Sequence, residues 1–167
     1  MATAHAIQSV RKALAVVALL VSITTACKKS GAGGADVDPR DQYVGVYDGN
    51  YTSTTLINNS LPVGDPEAGK VQITVTKAQP ANQLYIELLF NGSSKQMVTA
   101  ELVGATYTVI DKQSEPLVFG GKTYNAKYTA QGQFVVNDKK FTLNTVAETL
   151  QLSVTLTRRG DITGTKK

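Results

Sequence analysis

Polar and apolar residues alternate along most of this chain with a period of two. Val71, Ile73 and Val75 are interleaved with Gln72, Thr74 and Thr76. Leu84, Ile86, Leu88 and Phe90 repeat the pattern around Tyr85 and Glu87, with Leu89 out of phase. Tyr124, Ala126 and Tyr128 share a face against Thr123, Asn125, Lys127 and Thr129. The most regular stretch sets Leu150, Leu152, Val154 and Leu156 against Gln151, Ser153, Thr155 and Thr157, and it predicts one strand. Such alternation belongs to an antiparallel sheet with one face on a core and one in water. No segment from about Arg40 to about Thr157 spaces its apolar residues as a helix would.

The breaks between these runs carry turn chemistry. Gly120-Gly121 joins Leu117-Val118-Phe119 to the segment from Lys122, as a two-residue hairpin with positive φ would. Asn137-Asp138-Lys139, Asn91-Gly92-Ser93-Ser94 and Gly104 mark three more reversals. Asn58 to Gly69, with Pro62, Gly64 and Pro66, reads as a long loop or lid. The count is eight or nine strands in meander order, an all-β domain. A sheet this long with no covering helices closes on itself to remove its edges, so an antiparallel up-and-down β-barrel of about eight strands is the expected fold. A two-sheet β-sandwich satisfies the same alternation.

The first residues are of another kind. Arg11 and Lys12 precede the apolar run Ala13 to Ile23, and Thr24-Thr25-Ala26 leads to Cys27, the single cysteine. This is the order of a secretory leader, and its apolar core falls short of the roughly 20 residues of a membrane span. One cysteine allows no intramolecular disulfide, so the exported domain is held by its core alone. The junction resembles the lipobox of bacterial lipoproteins. That resemblance implies lipidation of Cys27, and through it a lipid bilayer as partner. Lys28 after the cysteine resembles the outer-membrane sorting class, and Lys28-Lys29-Ser30 lacks the acidic run of surface export. The expected location is the outer membrane, on its periplasmic face, with the cell surface as the alternative. Residues 1–26 are then the leader, 27–39 the lipidated end and a flexible tether rich in Gly and Ala, 40–160 the barrel, and 161–167 a C-terminal tail.

Composition narrows the function by exclusion. His5, the only histidine, leaves with the leader, and with it go the commonest general base and the commonest metal ligand. Of 17 Lys and Arg, Arg11 and Lys12 leave as well, so against 13 Asp and Glu the mature balance is +2. Nucleic-acid binding has no basic stripe to rest on. Asp36, Asp38 and Asp41 fail as a calcium loop, because Arg40 occupies a ligand position and no glutamate closes it. Asp48, Glu87, Glu101, Asp111 and Glu148 are dispersed. The chain is expected to be no enzyme, with no catalytic residue, no metal ligand and no cofactor.

Gly45-Val46-Tyr47, preceded by Asp41-Gln42-Tyr43, resembles the opening strand of small lipocalin-like (calycin-type) bacterial lipoproteins, and more distantly the Gly-x-Trp of lipocalins. The resemblance implies a barrel floor closed by an aromatic ring under an Arg of the last strand. Counting by twos from Leu150 reaches Arg158, so Tyr47 and Arg158 are the expected pair; a solvated Arg158-Arg159 pair at a frayed strand end is the alternative. The resemblance also implies an internal cavity for a small hydrophobic ligand. Tyr43, Tyr47 and Tyr51 share parity, as do Tyr124 and Tyr128, and these rings would line it, unless they are simply a tyrosine-rich core. The rival function is an accessory or inhibitor module that binds another envelope protein through the barrel exterior or the Asn58 to Gly69 loop.

Overall fold

A computed structural model describes residues 37–167 apart from Leu152. The leader, Cys27 and the tether as far as Asp36 lie outside the described residues. A 3-10 turn, Pro39–Gln42, is followed by ten strands: β1 Gly45–Ile57, β2 Leu61–Pro62, β3 Glu67–Lys77, β4 Gln83–Phe90, β5 Ser94–Val103, β6 Thr106–Val109, β7 Ser114–Phe119, β8 Lys122–Val135, β9 Lys140–Gln151 and β10 Val154–Lys166. The hydrogen-bonded order is β10-β9-β8-β6-β5-β4-β3-β1, and β10 pairs with β1 to close a ring of eight. Every pairing is antiparallel, and the closing seam runs from Tyr47 opposite Lys166 to Ile57 opposite Leu156. The fold is the closed barrel, and the sandwich is excluded. An up-and-down ring of eight fits a lipocalin-like barrel. Its ladder and its core are complete within Asp38–Lys167, a compact unit that needs no other segment to close.

The alternation read from the sequence is the inside and outside of this wall. Val71, Ile73, Val75, Leu84, Ile86 and Leu88 are buried, whereas Gln72, Thr76, Tyr85 and Met97 are exposed. Outward charges such as Asp48, Lys127 and Asp161 make the exterior that of a barrel in water rather than in hydrocarbon. The predicted turns fall where expected. Asn91, Gly92, Gly104, Gly120, Gly121 and Lys139 all have positive φ.

Three expectations are corrected. The stretch from Leu150 to Leu156 is not one strand but a hairpin. Thr155 pairs back on Leu150, Ser153 turns at φ 68, and Leu150 is exposed. A tight antiparallel turn preserves alternation through it, so the period alone did not reveal the reversal. Residues 161–167 are no tail, since β10 runs through them to Lys166 and supplies buried Ile162. The Asn58 to Gly69 stretch is a loop only as far as Pro66, since β3 already begins at Glu67; within it Leu61–Pro62 folds back on Leu56–Ile57, and left-handed Asn58 and Asn59 make the bend.

The two ends of the barrel differ. The chain enters at one end, the floor, where Arg40 is buried and its Nη1 donates to the carbonyls of Ala78 (2.9 Å), Pro80 (2.8 Å) and Gln83 (3.0 Å). Asp38 caps the turn and takes the other edge of the guanidinium through Nε and Nη2. That contact holds the Asp38 carboxyl well below the usual carboxylate range. Above this staple, Tyr43, Tyr47, Tyr107, Phe134 and Phe141 fill the barrel, with ring centroids 4.6 to 6.3 Å apart. Tyr107 lies directly across from Gly132, which has no side chain to obstruct the ring, and its hydroxyl donates to the Thr142 carbonyl at 2.7 Å. The opposite end is the mouth.

Candidate functional site

Cross-strand rows of inward residues decide where the barrel is full and where it is empty. Near the floor one row reads Gly49, Gly164, Phe141 and Phe134 on β1, β10, β9 and β8, and two rings fill it. Toward the mouth the same four strands present Ser53, Gly160, Thr145 and Ala130. These small side chains leave a cavity of about 430 Å³, within the range of small-molecule sites.

One wall of the cavity is apolar: Tyr51 and Ile162, paired across β1 and β10, and Leu88 and Phe90 of β4. Phe90 meets the Tyr51 ring edge-on with centroids 5.0 Å apart. At the lip the Tyr51 hydroxyl donates to Glu67 Oε1 at 3.0 Å and accepts from Asn91 Nδ2 at 3.1 Å. Asn91 has φ 49, and its Oδ1 accepts from the Lys70 N–H at 3.0 Å, which holds the amide at the lip.

The other wall is charged. Lys112 leaves the link between β6 and β7, where the wall parts because β7 pairs with β8 alone among the described strands. Its ammonium bridges that parting, donating to Gln96 Oε1 on β5 at 3.1 Å and to Glu115 Oε2 on β7 at 2.5 Å. It also stands 4.1 Å from the centroid of the Tyr128 ring. Glu115 is nearly buried and is shared, because Arg158 Nη2 contacts its Oε1. Arg158 faces Ala147 on β9, and Glu115 faces Ala126 on β8, so two small residues leave room for the contact. Burial and the charge of Arg158 push the Lys112 ammonium down to about 8, and burial also lowers Arg158.

The expected residues divide between the two ends. Tyr51 and Tyr128 line the cavity, whereas Tyr43 and Tyr47 are packed into the floor and Tyr124 is half-buried opposite Leu117. Tyr47 and Arg158 do not meet. Tyr47 stands opposite Lys166 and Arg158 opposite Thr55, at the two ends of the seam. Arg158 does face inward as its parity required, but its partner is Glu115, while Phe134 and Phe141 cover Tyr47. Lys112 and Glu115 were missed. The signal for Glu115 was available: it shares parity with buried Leu117, and an inward arginine demands an inward carboxylate.

No protein-family profile matches the chain, and no curated protein matches it. Among solved structures it is similar to a protein of unknown function from the DUF3598 family of Nostoc punctiforme, with TM-score 0.37 and 11% identity over 76% of this chain and 48% of that one. It is also similar to a mutant of the vaccine antigen transferrin binding protein B from Haemophilus parasuis, with TM-score 0.36 and 12% identity over 76% of this chain and 28% of that one. The chain therefore spans about half the length of the first and about a quarter of the second. The barrel assignment rests on this chain's own ring of strands, not on these likenesses.

Proposed function

We propose that this protein is a lipid-anchored envelope carrier or sensor, whose barrel holds a small organic molecule without acting on it. The observation that carries the reading is the cavity of about 430 Å³ at the mouth, above a floor sealed by aromatic rings. The apolar wall of Tyr51, Leu88, Phe90 and Ile162 suits the body of such a molecule, and the charged wall orients it. The leader and Cys27 support the anchor and an outer-membrane address. Native mass spectrometry of Asp38–Lys167 after incubation with a cell-envelope extract tests the cavity: a retained small molecule is expected, and a persistently empty barrel rejects the reading. Metabolic labelling with a radioactive fatty acid tests the anchor independently, and a Cys27→Ser chain should carry no label.

A second reading, an accessory or inhibitor module, is favoured by one observation. Leu61, Val118 and Leu150 stand exposed on three hairpins around the mouth. Replacing all three with serine separates the readings, since it abolishes capture of a protein partner and leaves retention of a small molecule intact.

A further inference from the structure

The ring of strands is complete toward the floor and parted toward the mouth. β6 joins β5 to β8 only as far as Val109, and beyond it β7 stays with β8 and leaves β5. At the start of the parting, the Thr99 carbonyl accepts from the Ile110 N–H at 2.9 Å, and the Thr99 N–H donates to the Asp111 carboxylate at 2.7 Å. In an antiparallel ladder successive residues turn their N–H and C=O groups to opposite sides. Thr99 faces the parting, so Met97 and Lys95 face it too, while Gln96 and Val98 face β4. Among the described strands, none pairs with Lys95 or Met97 on that side.

Exposed edges are ordinarily blunted. β7, across the parting, carries Pro116, which has no N–H to give. On β5 the Lys95 ammonium is drawn to Glu87 of β4 at 2.7 Å, away from the parting, and it leaves the edge bare. Exposed Met97 and Val118 stand on its two sides. The Lys112 bridge does not cover the edge, because Gln96 and Glu115 both line the cavity and the bridge crosses on that side.

We propose that the β5 edge receives an extended segment of another polypeptide, which adds one strand through the N–H and C=O groups of Lys95 and Met97. Unpaired main-chain groups call for a main chain, and the exposed Met97 and Val118 select apolar residues on the outer face of the guest. This site lies in the wall of the barrel and stands independently of the small-molecule reading.

Amide hydrogen exchange of Asp38–Lys167, followed by NMR with and without the blocked heptapeptide Lys-Thr-Val-Thr-Val-Thr-Lys, tests it. In the free chain the Lys95 and Met97 amides should exchange fast and those of Gln96 and Val98 slowly. Saturating peptide should slow the first two at least about tenfold and leave the second two unchanged. The same sequence N-methylated throughout has no donors and should protect neither. Met97→Pro removes a donor that β4 does not use, so the ring should still form while peptide affinity falls at least about fivefold. Met97→Thr keeps that donor and should bind within about threefold of the parent. Protection of Lys95 and Met97 in the free chain, peptide that leaves them unprotected, or undiminished binding by Met97→Pro overturns the inference. The exchange pattern and the N-methylated peptide decide it alone if Met97→Pro fails to fold.

Discussion

The floor and the mouth of this barrel are built from the same strands in the same register, yet one end is solid and the other hollow. Glycine shows the reason, because it is used in opposite ways. At the floor the missing side chain of Gly132 is replaced by the ring of Tyr107 from the neighbouring strand. At the mouth Gly160 lies between Ser53 and Thr145; the Thr145 hydroxyl reaches over it, but neither neighbour carries a ring to fill the row. A glycine therefore makes a cavity only where its row offers no ring to replace it. Strand pairing sets the frame, and side-chain volume, row by row, sets which part of the interior can receive a guest.

Truncating each end gives the largest contrast. Phe134 touches the rings of Tyr43, Tyr47, Tyr107 and Phe141. Phe134→Ala should lower unfolding free energy by about 3–5 kcal/mol in urea denaturation. Ser53→Ala at the mouth should move it by no more than about 0.5 kcal/mol. Similar losses at the two positions would mean that the mouth is as tightly packed as the floor and that the comparison is mistaken.

Next comes the staple under the floor. Arg40→Ala leaves the carbonyls of Ala78, Pro80 and Gln83 without their shared donor, and Asp38 without its partner. A loss of about 2 kcal/mol is expected. The Asp38 carboxyl is depressed in the folded state, so its contribution is present above the ordinary aspartate value of about 4 and disappears as pH falls below it. Acid titration of the Arg40→Ala variant should accordingly show a flatter decline than the parent chain.

A smaller effect comes from adding a methyl group to each kind of glycine. Gly132→Ala drives a Cβ into the Thr142 carbonyl and the Tyr107 hydroxyl, which are backbone and a packed ring, and should cost about 1–3 kcal/mol. Gly160→Ala meets chiefly the Thr145 hydroxyl, whose side chain can rotate, so stability should hardly change while retention of a small molecule in native mass spectrometry falls. Equal thermal shifts for the two substitutions would erase the distinction between a filled glycine and an open one.

Much of this contrast was legible in the residues, and part of it was not. The strand faces from Val71 to Phe90 and the hairpin at Gly120-Gly121 follow from local chemistry, so alternation and turn residues locate them. Which end each tyrosine occupies depends on register between distant strands. Parity placed Tyr47 and Arg158 on the inner face, but nothing local says that eight residues of the β1–β10 seam separate them. The hairpin at Ser153 was hidden for a related reason: Leu150 and Val154 continue an alternating pattern although they flank a reversal. Lys112 escaped notice because it sits in a link between strands, where no periodicity assigns a face.

Alkaline titration acts with opposite sign on Lys112 at the mouth and on the buried tyrosines. Lys112 faces Glu115 from β7, Gln96 from β5, Tyr128 from β8 and Arg158 from β10, and burial with the Arg158 charge lowers it to about 8. Between about pH 8 and the ordinary lysine value near 10.4, the unfolded chain binds a proton that the barrel has released, so this group makes stability rise with pH. At the floor burial raises Tyr47 to about 12 and moves Tyr107 upward as well. From about pH 10 the unfolded tyrosines ionise while the folded ones stay protonated, and stability falls through that range. Lys112→Met should therefore remove the rise and preserve the fall. Urea midpoints measured from pH 7 to 11 check both limbs, and a Lys112→Met profile that still climbs from pH 8 to 10 would place the responsible proton somewhere other than the mouth.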